Sequence, residues 1–180
     1  MDKSMKILYD EHDIIVNAID TARQAKSLIG KDDSRYENSI RSLINFFRSY
    51  ADKFHHYKEE IILFPEMNKK NELLADGVIK EMFDNHDDFR EKIRNIEASL
   101  NEKKYLQAQQ QLEAYTEALL DHIAVENDEV FQMAETLFSE DELEKIYFRF
   151  EDCDRELGND RKKELVELSE ELRKNILYSE

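Results

Sequence analysis

Residues that interrupt helices are scarce in this chain and fall at a few well-separated positions. Its 180 residues include only three glycines and one proline. Between these breakers, apolar side chains recur at the three- and four-residue spacing of amphipathic helices, and no segment alternates as a β-strand does. Long helices with short connections pack as antiparallel neighbours. The sequence therefore predicts an all-α protein, an antiparallel up-down four-helix bundle with additional C-terminal helices.

Glycine, proline and capping residues mark the expected helix boundaries. Ser34 with Glu37 and Ser139 with Glu142 read as capping boxes that open the second and fifth helices, and Pro65 is expected to end the second. The other expected boundaries are a first helix from near Ser4 to Gly30, a third from near Gly77 to about Leu100, a fourth of roughly 102–137 capped by Asn101, and a last helix after Gly158. We expect residues 1–150 to form the bundle and residues 151–180 to form a C-terminal helical extension.

Composition argues against several functional classes. A formal net charge of -16 argues against binding of nucleic acid, because its phosphates would be repelled. No apolar run approaches the roughly 20 residues that cross a bilayer, so no membrane span is expected. A single cysteine, Cys153, cannot form an internal disulfide, and the N-terminus shows no apolar signal region. We therefore expect a cytoplasmic protein.

Four of the five histidines fall one per predicted helix, and two of them are followed four residues later by glutamate. The six candidate ligands are His12, His56 with Glu60, His86, and His122 with Glu126. Projection at 100° per residue places His12, His86 and Glu126 within the apolar faces of their helices and His122 at an edge. A glutamate in mid-core is costly unless it is paired, protonated or bound to metal.

The second helix presents a choice between neighbouring residues. Its apolar arc comprises Phe46, Phe47, Tyr50, Phe54, Tyr57, Ile61 and Phe64. His55 and His56 project about equally far from the centre of this arc, on opposite sides. Glu60 projects near the arc, whereas Glu59 points almost directly away from it. We therefore assign His56 and Glu60 to the site and His55 to its boundary.

Nitrogen and carboxylate ligands from four separate helices are what a two-metal centre inside a bundle requires. A lone inward histidine is usually a core residue, and a His/Glu pair at i, i+4 is usually solvated. Four inward histidines, two with an inward glutamate, are much harder to explain in that way. Six ligands also exceed the needs of one tetrahedral zinc. The HExxH motif of zinc proteases and the Glu-x-x-His of ferritin-like proteins are both absent.

Together these motifs resemble those of hemerythrin-like proteins of the HHE cation-binding family. The matching segments are Glu11-His12, residues 55–60 followed by Leu63-Phe64-Pro65, Asn85-His86-Asp87, and His122 through Glu126 followed by Val130-Phe131. The resemblance covers roughly residues 4–150 and implies two iron ions in a non-haem, oxo- or hydroxo-bridged centre. It implies that Glu60 and Glu126 bridge. It also implies that His12 and His56 serve one iron, and His86 and His122 the other.

The chain departs from oxygen-carrying hemerythrins in two places. Those carriers have a further histidine where this chain has Arg90, and an aspartate one residue beyond Glu126. The resemblance therefore implies an open position on the second iron and favours reaction with dioxygen, peroxide or nitric oxide, or iron or redox sensing, over simple oxygen carriage. Two alternatives stay open. One is an oxidoreductase that consumes peroxide or nitric oxide, and the other is a metal-stapled bundle for an unknown protein partner.

Overall fold

The computed structural model describes residues 1–177, and helices make up nearly all of them. The helices are α1 (Lys3–Gln24), α2 (33–70), α3 (Val78–Asn101), α4 (105–137), α5 (Glu140–Leu157) and α6 (Asn159–Leu177). Consecutive segments of α2 are Asp33–Phe46, Phe47–His56, Glu59–Leu63 and Phe64–Lys70, and those of α4 are Tyr105–Val125, Glu126–Val130 and Phe131–Leu137. Short 3₁₀ turns occupy Ala25–Leu28 and Glu72–Leu74. Because residues 1–177 contain no strand, the predicted all-α class is confirmed.

Several expected helix boundaries are confirmed. Gly30 and Gly158 take positive φ values of 76° and 103°, a conformation that favours glycine and ends a helix. Gly77 directly precedes α3. At the start of α5, the Glu142 carboxylate accepts a hydrogen bond of 2.9 Å from the backbone N–H of Ser139. This is one half of the predicted capping box.

Two expected helix starts are wrong. Asp32, and not Ser34, caps α2, because its carboxylate accepts the backbone N–H of Arg35 at 2.9 Å. The fourth helix begins at Tyr105, three residues later than expected, whereas Asn101 belongs to the last turn of α3.

Pro65 does not end α2, which continues to Lys70. The turn before it is π-helical, with the backbone N–H of Phe64 bonded to the carbonyl of Glu59 five residues back. The N–H that proline lacks therefore falls where the helix changes from π to α hydrogen bonding. At the first turn of an α-helical segment a missing N–H is tolerated.

Wide π-helical turns occupy Phe47–His56 and Glu59–Leu63 in α2 and Glu126–Val130 in α4. A π turn holds more residues than an α turn, so side chains beyond it are rotated from their positions in an ideal projection. Tyr57 and Ile61 are accordingly 41% and 51% exposed. The expectation that both lie on the buried arc of α2 is wrong.

Buried apolar residues form two clusters with a polar layer between them. The first cluster includes Ile15, Ile19, Tyr50, Phe54, Phe89, Ile93, Leu119 and Ile123. The second includes Met5, Leu8, Ile62, Leu63, Ile79, Met82, Val130 and Phe131. Along each helix, the buried polar residues fall where one cluster gives way to the other: Glu11, His12, His55, His56, Lys58, Glu59, His86, His122 and Glu126.

The two C-terminal helices pack onto α1 and α2. Phe150 of α5 belongs to the second apolar cluster, and Leu165 and Ile176 of α6 belong to the first. The expected boundary at residue 150 falls within α5, and the division into a bundle and an extension stays a prediction. In residues 1–177, no helix combines the length and the apolar character needed to cross a bilayer.

Candidate metal centre

All five histidines of the chain lie in the polar layer, and none is more than 3% exposed. They form two groups of potential ligands. The first group is His12, His55, Glu59 and Glu126, and the second is His56, His86 and His122. Within each group, one ligating atom from every residue lies within 4.8 Å of the others. The layer thus has two adjacent places suited to a cation.

Glu59 lies between the two groups. Its Oε1 is 3.4 Å from His55 Nε2 in the first group, and its Oε2 is 3.6 Å from His86 Nε2 in the second. A carboxylate with one oxygen toward each of two cation sites has the disposition of a bridging ligand.

Glu126 has the same disposition from the opposite helix. Its Oε2 is 3.2 Å from His12 Nε2, and its Oε1 is 3.2 Å from His122 Nε2. The π-helical segment Glu126–Val130 begins at this residue. Two carboxylates therefore span the two groups of imidazoles.

Inward-facing atoms of the centre lack hydrogen-bond partners. Among the described residues, the buried atoms without one include His12 Nε2, His55 Nε2 and both carboxylate oxygens of Glu59 and Glu126. Such atoms are rare in folded proteins because each loses its hydration without compensation. Imidazole nitrogens and bridging carboxylates are the donor set of a pair of iron ions in a helical bundle. The residues present therefore fit that group.

Polar side chains stand behind the imidazoles and fix their orientation. Nδ1 meets an oxygen acceptor in three of them: His12 with Asn127 Oδ1 at 2.8 Å, His55 with Glu11 Oε2 at 2.9 Å and His86 with Glu60 Oε1 at 2.7 Å. An acceptor on Nδ1 takes the proton of the ring and leaves Nε2 to bind metal, which is the usual arrangement of metal-ligating histidines. In His122 the Nδ1 atom lies 3.4 Å from the amide nitrogen of Asn85, and in His56 the Nδ1 atom has no hydrogen-bond partner.

Burial keeps several imidazoles neutral. Burial, together with the neighbouring histidines, lowers the pKa of His55, His56 and His86 to about 3. Neutral imidazole is the form that binds metal.

The two carboxylates that span the groups have pKa values shifted in opposite directions. Burial and the charge of Glu126 raise the pKa of Glu59. Burial opposes ionisation of Glu126 as well, but His122 and His12 outweigh it and lower its pKa. Of the two carboxylates, Glu59 is therefore the one that takes up a proton more readily.

Five of the six residues predicted for the site lie in the two groups, and Glu60 does not. Its side chain is 16% exposed and accepts hydrogen bonds of 2.7 Å from His86 Nδ1 and from Arg90. Glu59 faces the histidines instead, so the expectation that Glu60 faces the interior and Glu59 points away is wrong. The reason is the π-helical geometry of α2, which an ideal α-helical projection does not include.

The sequence predicts His55 at the boundary of the site, but the structure places it in the first group beside His12. His56 lies with His86 and His122, so the expected grouping of His12 with His56 is also wrong. His55 and Glu59 share the i, i+4 spacing of His56 and Glu60. Spacing therefore could not separate the two pairs, although a histidine doublet was itself a signal that both members belong to the centre.

Arg90 lies at the rim of the centre and does not enter either group. Its guanidinium donates to Asp52 at 2.9 Å, to Glu60 at 2.7 Å and to Asp87 at 2.9 Å. His56 supplies the third imidazole of the second group, so a missing histidine at position 90 does not leave that group short of imidazoles.

A cleft of about 470 Å³ between α2 and α3 reaches the second group. His56 and His86 line its inner end, and Phe89 and Tyr115 form part of its apolar wall. Arg90 also lines this cleft, and its guanidinium forms an ion pair with Asp52 of α2. A small molecule can thus approach the centre from the side of the three histidines.

Comparison with known proteins agrees with this geometry. A search of curated proteins and a search of solved structures return no match. The family model described as the hemerythrin HHE cation-binding domain matches residues 4–134, which contain both groups of ligands. The chain therefore belongs to the hemerythrin HHE cation-binding domain family.

Proposed function

We propose that this protein binds two iron ions in the polar layer and uses them to react with a small ligand, namely dioxygen, peroxide or nitric oxide, or to sense iron or redox state. The observation that carries the proposal is the set of buried, inward-facing ligand atoms that lack hydrogen-bond partners. His12 and His55 would hold one ion and His56, His86 and His122 the other. Glu59 and Glu126 would bridge them.

A pair of iron ions supplies reversible binding of such ligands, or exchange of one or two electrons with them. The protein's own residues control access and orientation. The two apolar clusters exclude bulk water from the layer, and the cleft beside His56 and His86 admits a small molecule on one side. Glu60 and Arg90 hold the outer edge of that opening through their hydrogen bonds.

The antiparallel up-down arrangement of α1 to α4 is part of the same proposal. Met5 of α1 lies in the second apolar cluster and Ile19 in the first, whereas in α2 the first cluster precedes the second. Ile79 and Ile93 repeat the order of α1 in α3, and α4 repeats the order of α2. Successive helices thus cross the polar layer in opposite directions, which supports alternating helix orientation.

Metal analysis after anaerobic loading with ferrous iron tests the proposal. We expect about two irons per chain, and an optical spectrum that changes when air is admitted and again when reductant is added. One tightly held zinc with no uptake of iron would contradict the di-iron centre. A double variant, Glu59→Gln with Glu126→Gln, serves as the control because it removes both carboxylates that span the groups.

A catalytic role is the second candidate, and the cleft favours it because it gives substrate a route to the second group. Aerobic turnover assays with peroxide or nitric oxide on iron-loaded protein distinguish it from binding or sensing. Sustained consumption over many turnovers would support an oxidoreductase. We also propose a cytoplasmic location, consistent with the buried, unpaired thiol of Cys153. Fractionation of cells that produce the protein tests this location.

A further inference from the structure

A buried network of charges connects the C-terminal helices to the first group of ligands. Glu11 of α1 is 2% exposed, and its Oε1 is 2.7 Å from Lys58 Nζ and 2.5 Å from Lys162 Nζ. Both lysines also contact Asp154, each at 2.5 Å and each at a different carboxylate oxygen. Two cations and two anions are thus closed into one ring.

The ring is built from four different helices. Glu11 lies in α1 and Lys58 in α2, while Asp154 lies in α5 and Lys162 in α6. Lys58 is fully buried, and its ammonium also donates to the carbonyl of Phe54 at 2.9 Å. A buried lysine without such partners would be strongly destabilising, so the ring holds four elements in one arrangement.

The remaining oxygen of Glu11 faces the candidate metal centre. Glu11 Oε2 lies 2.9 Å from His55 Nδ1, while Oε1 is occupied by the two lysines. An ionised carboxylate only accepts hydrogen bonds, so Nδ1 of His55 carries the proton. The lone pair of His55 then lies on Nε2, which faces Glu59 at 3.4 Å.

Lys162 is held in place from more than one side. Its side chain is 19% exposed, and its ammonium lies 6.0 Å from the ring centroid of Tyr50 and 5.9 Å from that of Phe54. Lys162 and Asp154 both lie beyond residues 4–134, the part of the chain that matches the family model. The connection to His55 is therefore made by residues outside the matched domain.

We propose that Lys162 is a positioning residue for the metal centre, acting through Glu11 to fix the tautomer and orientation of His55. This inference rests on the proposed function for its metal-binding consequence only. Without Lys162, Glu11 is held by Lys58 alone and Asp154 loses one of its two cations. Glu11 then orients His55 less firmly, and the first position binds metal less tightly. The second position does not contact the ring and keeps its affinity.

The first experiment uses metal-free protein and does not depend on the proposed function. Imidazole ¹⁵N shifts measured by NMR report which nitrogen of each histidine carries the proton, and a His55→Gln variant assigns the signal. We expect His55 to be protonated on Nδ1 in the unmodified protein and to populate the other tautomer in Lys162→Met. An unchanged His55 signal in a folded Lys162→Met variant would overturn the inference.

The second experiment is an anaerobic titration with cobalt(II), whose visible absorption reports each metal as it binds. In Lys162→Met we expect one position to weaken by about 10- to 100-fold, as is typical when a partner behind a ligating histidine is disturbed. The other position should be unchanged. Lys162→Arg, which keeps the charge, should restore most of the lost affinity. Equal weakening of both positions would overturn the inference, because it would mark Lys162 as a general stabiliser.

Lys163→Met is the matched control. Lys163 is the next residue of α6, is exposed and lines the same surface cavity as Lys162. It should leave the His55 tautomer and both affinities unchanged. Should Lys162→Met fail to fold, Lys162→Gln gives the same comparison with a polar but uncharged side chain. A shifted tautomer in a protein that binds no metal pair would refute the proposed function while supporting the role of Lys162.

Discussion

His56 stacks on His86 with ring centroids 3.8 Å apart and an angle of 13° between the ring planes. The contact joins α2 to α3 directly at the inner end of the cleft. It also places a histidine of α2 in the same group as the histidines of α3 and α4. The doublet His55-His56 thus serves both groups, one residue to each.

Replacing His55 should remove one metal ion, and replacing His56 should remove the other. We expect His55→Ala and His56→Ala each to lower iron content from about two per chain to about one. An ideal α-helical projection of α2 instead predicts that His55→Ala keeps both irons. Metal analysis and the optical spectra of the two variants decide the matter. Identical spectra for the two single-metal variants would contradict the division of the doublet between two groups.

The neighbours Glu59 and Glu60 should differ in the size of their effects. Glu59→Gln removes a carboxylate that spans both groups, so we expect loss of most of the paired iron signal. Glu60→Gln disturbs only the hydrogen bond behind His86, so we expect about a 10- to 100-fold loss of affinity at one position. Titration with ferrous iron under argon measures both. If only the Glu60 variant lost the pair of irons, Glu60 and not Glu59 would be the carboxylate that spans the groups, as the sequence predicts.

The π-helical geometry of α2 predicts opposite outcomes for two adjacent isoleucines. Ile61 is 51% exposed and Ile62 is 5% exposed. We expect Ile61→Ala to change the free energy of unfolding by less than about 0.5 kcal/mol. Ile62→Ala should lower it by about 2–4 kcal/mol, because it opens a cavity in the second apolar cluster. Denaturant unfolding of both variants checks this. A larger effect at Ile61 would mean that α2 has the phase of an ideal α-helix.

Acid should destabilise the metal-free protein. The pKa values of His55, His56 and His86 are about 3 when folded, against an ordinary 6.5, so unfolding takes up protons between these pH values. The free energy of unfolding then falls as pH is lowered through that window. Glu59, with its raised pKa, acts in the opposite direction and reduces the slope. Glu11 and Glu126, whose pKa values are lowered from an ordinary 4.5, add to the loss of stability at the acid end of the window.

Urea unfolding at a series of pH values measures this slope. The matched variant is His55→Gln, which removes one of the titrating imidazoles and should lower the slope by about one proton. A free energy of unfolding that stays constant from pH 6.5 to pH 4 would contradict the buried, neutral state of these histidines.

Arg90 should act as a restraint on the cleft and not as a ligand. Arg90→Met leaves Asp52 and Glu60 without their shared cation, so we expect a loss of about 1 kcal/mol in the free energy of unfolding. Iron content should stay at two per chain, while added azide should reach the centre faster in stopped-flow measurements. Arg94→Met is the control, since Arg94 lines the same cleft but is exposed. Loss of iron from the Arg90 variant would show that Arg90 is needed for metal binding as well as for holding the cleft.

Much of the fold and of the site follows from patterns that are local in the sequence. Apolar periodicity correctly predicts that His12, His86 and Glu126 lie inside, because α1, α3 and the first part of α4 are regular α-helices up to those residues. His122, which projects at the edge of its apolar face, is also buried. Gly30 correctly marks the end of the first helical segment, because its positive φ is unfavourable for other residues.

The phase of α2 could not be predicted in the same way. A π turn changes which backbone carbonyl each N–H bonds, and hydrophobic periodicity does not record that choice. Glu59 therefore projected outward although it is fully buried. Lys58 shows a second limit. From the sequence a lysine is expected to be exposed to solvent. Lys58 is buried because Glu11 and Asp154, which lie in helices distant in the chain, form ion pairs with it.

The wide turns of α2 also have a consequence for how such a centre changes over evolutionary time. Residues 55–60 carry two histidines and two glutamates in adjacent positions, and the helical phase selects which glutamate faces the histidines. Deleting one residue upstream within Phe47–His56 would rotate the segment by about 100° and bring Glu60 to the place of Glu59, and His56 to that of His55. Ligands in this helix can therefore be swapped by a change in length alone, a route that substitution-based comparison of related chains would register only as a gap.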